Sequence, residues 1–198
     1  MFGRNDIPTD DSRTFAEWLV AILIANRSHP DATYALEATE ARAALRKAGV
    51  DVLSAVAHRL ASEMGATTPD EGAKRWRTII GPVFKDIWPL DVELQSNASN
   101  FAFVQILTAA GGAFPEAADA IMPFIRPDDP RRHTTIFSIA EAPDSFYRVS
   151  PSKVLDLIAA IVGDAPPGNF IYLDRALAKI RSIAPDLVNS RKFQKLAA

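Results

Sequence analysis

The sequence predicts an all-α fold, and three observations carry that prediction. Apolar residues recur at helical spacing in one segment after another. Helix start and stop signals bound nearly every such segment. Strand evidence is confined to Val92–Leu94, which alternates but is too short to make a sheet.

Taken in order, Asp11-Ser12 cap a first segment running to about Ser28, with Phe15, Leu19, Ile22 and Leu23 on one face and His29-Pro30 as its stop. Asp31 opens a second, 32–48, rich in the strong helix formers Ala, Glu, Arg and Leu and followed by Gly49 at the left-handed cap position. Asp51 starts a third through Val52, Val56 and Leu60, ended by Gly65. Thr68-Pro69-Asp70-Glu71 is the clearest start signal: a capping hydroxyl, proline in the first turn and two acids beside the positive end of the dipole. The helix it opens carries Trp76, Ile79, Ile80 and Val83, kinks at Gly81-Pro82 and ends at Trp88-Pro89.

Ser96 or Asn97 then opens a helix through Phe101, Val104, Ile106 and Leu107 to Gly111-Gly112. Phe114-Pro115-Glu116 opens another through Ala118, Ile121, Met122 and Ile125. A polar stretch, Arg126 to His133, leads to a short helix over Thr134–Ala140, and 144–150 reads as a loop. Pro151 opens a helix through Leu155, Ile158 and Ile161, and Asn169 caps the last long one, Phe170–Ala184. Ser190 to Ala198 reads as a short final helix or a frayed tail.

Sliding the chain over itself by 36 places Pro115 on Pro151, Ile121 on Leu157, Met122 on Ile158 and Ile125 on Ile161. The same register places Phe137 on Leu173 and Ala140 on Ala176. A period of this size is what stacked helix pairs give, because each pair can bury one face only against its neighbour. The first half does not follow the repeat. The expected organisation is a helical bundle over 1–90 continuing into HEAT-like antiparallel helix pairs over 91–198, an α-solenoid-like arrangement that also fits one continuous domain.

Composition bounds the role. The 198 residues are 48% apolar and 23% charged, ordinary for a globular chain, and this length buries roughly 70% of the unfolded surface. Cysteine is absent, which excludes disulfides, thiolate metal sites and a cysteine nucleophile. The net charge of −2 disfavours a dedicated nucleic-acid binder, which usually shows a basic excess. The apolar run Trp18–Ala25 falls far short of the roughly twenty residues a bilayer span needs and reads as a buried helix face. Asp6, Asp10, Asp11 and Glu17 sit where an export signal needs positive charge. The expectation is a cytoplasmic protein with no membrane partner.

No constellation points to a reaction. His29, His58 and His133 lack metal-ligand spacing, His58 and Glu63 being off the i, i+4 register, and no phosphate loop or nucleophile elbow occurs. Glu37 and Glu40 beside Arg42 and Arg46 suggest ion pairs on a wet helix face rather than an acid/base pair. Asp128-Asp129 beside Arg131-Arg132 reads the same way. No catalytic, cofactor-binding or metal-ligating residue is assigned, and no cofactor is implied. Two basic clusters remain as candidate partner contacts. Arg75 and Arg77 flank Trp76, which points to the core while the arginines diverge. Arg126, Arg131, Arg132 and His133 form a patch between helices, where binding residues are often presented.

The stretch Ile87-Trp88-Pro89-Leu90-Asp91, then Asn100, then Gly112-Ala113-Phe114-Pro115-Glu116-Ala117, then Pro123-Phe124-Ile125 resembles the C-terminal helical region of very large bacterial NTPases linked to phage defence, the NACHT/STAND-like and SIR2-linked proteins. The resemblance covers about 87–196 and rests on structural motifs. It implies a helical-repeat segment that senses or scaffolds, with ATPase and effector functions in other parts of a larger protein; neither motif set occurs in these residues. No functional residue carries over.

The leading expectation is a non-enzymatic module that binds a protein partner. The alternatives are a sensor or regulatory segment of a larger anti-phage defence NTPase, and a small helical enzyme with a pocket gathering His58, Glu63 or Tyr172, or a nucleic-acid binder whose salt-sensitive contacts are Arg75, Arg77, Arg131 and Arg132.

Overall fold

A computed structural model describes residues 9–29, 32–46, 50–65, 68–88 and 100–198. All regular structure among them is helical. In chain order the helices are α1 (Thr9–Ser28), α2 (Ala32–Arg46), α3 (Val50–Met64), α4 (Pro69–Arg75), α5 (Gly81–Ile87), α6 (Asn100–Ala109) and α7 (Phe114–Ile121). There follow α8 (Arg132–Glu141), α9 (Asp144–Val149), α10 (Pro151–Val162), α11 (Leu173–Ile183) and α12 (Arg191–Ala197). The expected stop at Pro30, the cap at Gly49, the starts at Ser96 or Asn97 and the strand-like Val92–Leu94 lie outside the described residues.

Ten of these twelve helices, all but α4 and α9, succeed one another in two rows. In the first, α1 packs on α3, α3 on α6, α6 on α8 and α8 on α11. In the second, α2 packs on α5, α5 on α7, α7 on α10 and α10 on α12. Ion pairs join members of one row: Asp119 of α7 with Lys153 of α10, Asp156 of α10 with Lys192 of α12, and Glu141 of α8 with Arg175 of α11. Asp86 of α5 holds Arg27 of α1 at 2.8 Å and Arg42 of α2 at 3.0 Å. Arg42 thus finds its carboxylate on a neighbouring helix, not in Glu37 or Glu40 of its own.

One apolar core runs from Leu19 and Leu23 through Leu60, Phe103 and Ile121 to Ile158 and Ile180. The division expected near residue 90 falls in 89–99, outside the described residues, and the packing crosses it. Trp88 stacks on Phe84 at 4.8 Å and meets Phe103 edge-on at 5.7 Å, while Phe84 meets Phe124 at 5.8 Å. Such aromatic pairs each add about 0.5–1.5 kcal/mol beyond the area they bury.

Several elements depart from expectation for identifiable reasons. The kink at Gly81-Pro82 is resolved one turn earlier, by a π-helical turn over Trp76–Ile80 between α4 and α5. Its widened ring lets the Gly81 N–H reach the Trp76 carbonyl, ahead of a proline that has no N–H to offer. The helix after Phe114 ends at Ile121, where Pro123 sits in a 3-10 turn over Met122–Phe124. The last long helix begins at Leu173, since Pro167–Asn169 form a 3-10 turn of their own; Asn169 is therefore not its cap. The presumed loop 144–150 is mostly the helix α9. Its Phe146 and Tyr147 are buried, and the Tyr147 hydroxyl donates to the Ile139 carbonyl at 2.8 Å. The C-terminal segment is the helix α12, capped by the Ser190 hydroxyl accepting from the Phe193 N–H and anchored by buried Phe193 and Leu196. Along Trp18–Ala25, Leu19, Val20 and Leu23 are buried, but Trp18 itself is 59% exposed.

Candidate interaction surface

The loop between α7 and α8 is built on a buried amide. Asn100, fully buried at the start of α6, accepts from the Arg126 N–H at 2.9 Å and donates to the Arg126 carbonyl. Asp129 closes the same corner, its two oxygens accepting from the Asn100 N–H at 2.8 Å and the Arg131 N–H at 2.7 Å. Four backbone groups that helix ends and turns would leave open are thereby satisfied.

That corner brings together four of the six predicted site residues. Arg126 lies 3.6 Å from Asp128. Arg131 is exposed, with Nη1 3.5 Å from Nε2 of His58 on α3. Arg132 donates to the Pro127 carbonyl at 3.1 Å and sets its guanidinium 5.6 Å from the centre of the Phe170 ring. His133 lies 4.9 Å from the same ring. Arg132 and His133 belong to the first turn of α8, not to the preceding loop, because helical geometry begins two residues before Thr134.

Arg75 and Arg77 are held elsewhere. Trp76 is buried between them, as the helical spacing requires. Arg75 donates to the Glu63 carbonyl at 2.7 Å, and Arg77 grips Glu116 of α7 with a forked pair of bonds at 2.7 and 3.1 Å. The Arg77 hydrogen bond, with help from its charge, holds the Glu116 carboxyl below the usual carboxylate range.

The residues named for a pocket, His58, Glu63 or Tyr172, lie on α3 and just before α11. Glu63 pairs with Arg59 one turn back on α3, and none of the three lines the groove described next. Among the described residues no three His, Asp or Glu side chains gather as a metal site requires. Trp88, Phe146 and Tyr147 are all buried, and burial pushes the Tyr147 hydroxyl pKa up.

Among the described residues, the exposed aromatics lie along the first row instead. A shallow groove of about 430 Å³ runs between α6 and α8, floored by Phe101, Ala109, Phe137 and Ala142 and bordered by Thr134 and Glu141. Phe137 is 40% exposed and meets Tyr172 edge-on at 4.8 Å; Ile171 beside it is 86% exposed. On the other side the Phe101 ring lies 6.5 Å from that of His58. Aromatic rings thus line four consecutive members of the row, α3, α6, α8 and the start of α11. Arg131 stands at the end where α8 begins, and Glu141, paired with Arg175, at the end where it finishes.

Sequence reading missed this stripe although its signal was present. On α8 the buried residues are Thr135, Ile136, Ile139 and Ala140, a face from which Phe137 diverges. An aromatic off the apolar face of its own helix is the mark of an exposed ring.

The fold and this surface define a class: an all-α chain of helices packed in succession, with an apolar groove on one row. No protein-family model matches the chain, and no solved structure does. Among curated proteins it is similar to the uncharacterized protein y4cA of Sinorhizobium fredii, 27% identical over 184 residues that make up 91% of this chain. The chain spans about 15% of the length of that relative. No single helix among the described residues is long and apolar enough to cross a membrane.

Proposed function

We propose that this chain is a stretch of stacked helix pairs that works as a cytoplasmic, non-enzymatic protein-binding scaffold. The observation that carries the reading is the two-row succession, α1-α3-α6-α8-α11 against α2-α5-α7-α10-α12, each helix resting on its predecessor in the row. α10 lies against α7 and α11 against α8, the helices that the offset of 36 superposes, which supports a repeat of solenoid type. Such stacks offer long, continuous faces and recognise other proteins through them. The exposed rings on the first row supply apolar area of the kind such interfaces use.

The test is affinity purification of the native protein from its source under nuclease treatment. The reading expects a stoichiometric protein partner that is retained after the nucleic acid is digested. Recovery of the chain with bound nucleic acid alone, or with no macromolecule at all, overturns it.

A second reading has one observation in its favour. The relative is several times longer than this chain, which suits a sensor or regulatory segment of a larger bacterial defence NTPase, as the resemblance implies. Its test is the mass of the native polypeptide, with nucleotide hydrolysis measured on that polypeptide. A mass well above 21.5 kDa together with NTPase activity supports it; a polypeptide of that mass contradicts it.

A further inference from the structure

From the groove between α6 and α8, with Arg131 at the end where α8 begins, we infer a docking site for a short acidic segment of a partner protein, which inserts an aromatic or long aliphatic side chain beside Phe137 and sets a carboxylate against Arg131. The inference rests on the protein-binding reading and names where the partner sits and what it carries.

Two independent features fix the chemistry. The floor is apolar, and Phe137, Tyr172 and Ile171 keep 40%, 39% and 86% of their surface in water, area that only an apolar side chain can cover favourably. Charge fixes the other half. Arg131 has no carboxylate within ion-pair distance among the described residues; its contact is the His58 ring at 3.5 Å, and that ring leads on to Phe101 in the groove. Its neighbours are already engaged, Arg126 with Asp128, and Arg132 with the Pro127 carbonyl and the Phe170 ring. At the far end Glu141 is covered by Arg175. Arg131 is therefore a rim cation left for a partner's carboxylate, the Asp129 carboxylate beside it being turned onto the Asn100 and Arg131 N–H groups, and its place at one end sets the direction of the segment. A nucleic-acid surface needs an excess of cations, and the chain's net charge of −2 disfavours it.

The experiment selects a phage-displayed random peptide library against the full chain and measures the enriched peptides on three variants. Phe137→Asp and Arg131→Glu alter exposed side chains, and Ser152→Glu, on α10, is the control. The inference expects peptides with an aromatic or aliphatic anchor near Asp or Glu. Their affinity should fall about tenfold or more in each of the first two variants and stay unchanged in the third. Peptides with the acid changed to Lys should regain binding on Arg131→Glu, which also shows that this variant is folded. Enriched peptides indifferent to both substitutions would overturn the groove while leaving the scaffold reading in place. A library that yields no binder overturns the groove as a peptide site, and the purification above then judges the scaffold by itself. Displacement of the peptides by a mixed-sequence single-stranded DNA would reassign the surface to nucleic acid and overturn the proposal.

Discussion

Asn100 is the residue on which the α7–α8 corner depends. It is fully buried and spends its amide on both backbone groups of Arg126. Asn100→Ala leaves that partly buried N–H and C=O without their partner, a loss of about 0.5–1.5 kcal/mol for each hydrogen bond. Chemical denaturation of the two proteins should show the midpoint falling with the slope unchanged; equal midpoints would contradict the clamp. Glu116 makes a pH-dependent prediction. Its carboxyl titrates below its unfolded value, through the Arg77 hydrogen bond first and the charge second. The stability it contributes is therefore present above the unfolded carboxylate pKa and is lost as pH falls through the folded one. Thermal unfolding of wild type and Glu116→Gln should differ at neutral pH and converge in acid. Because the pair is exposed, added salt should also shrink the difference.

At the scale of the element, the junctions decide more than the helix interiors. Gly81 fits beneath Trp76, and a Cβ there would lie 2.7 Å from the Trp76 carbonyl oxygen and 3.0 Å from its ring. Gly81→Ala must open the π-helical turn, at a cost of about 1–3 kcal/mol for an overpacked core. Gly111 is more demanding: its φ is +53°, and a Cβ would come 2.0 Å from the Pro69 carbonyl oxygen at the start of α4. Gly111→Ala should therefore destabilise more than Gly81→Ala, and the reverse order in denaturation midpoints would contradict this junction. These junctions also mark where sequence reading succeeds and where it stops. The Thr68-Pro69-Asp70-Glu71 start was legible because its hydroxyl caps locally, accepting from the Glu71 N–H. The helix α9 was not, because its Phe146 and Tyr147 are anchored by partners far along the chain or on another helix, such as Phe114 at 4.7 Å. The six basic residues were legible as a list, but only packing shows that four share a corner and that Arg77 is spent on Glu116.

Across the whole molecule, one core joins the first helices to the last, and the Trp88–Phe84–Phe103 cluster bridges the two halves of the sequence. Trp88→Ala removes the largest fully buried side chain and should cost about 3–5 kcal/mol. Both halves should lose stability together, read by native-state hydrogen exchange in α1–α3 and in α10–α12. Loss confined to one half would contradict a shared core. The first row, not the second, is the face proposed to meet another protein. The photo-crosslinker p-benzoylphenylalanine, placed at position 137 on α8 or at position 152 on α10 in the native host, distinguishes the two. A discrete crosslinked protein product is expected from 137 and none from 152. Equal labelling from both positions, or a product from 152 alone, would contradict it.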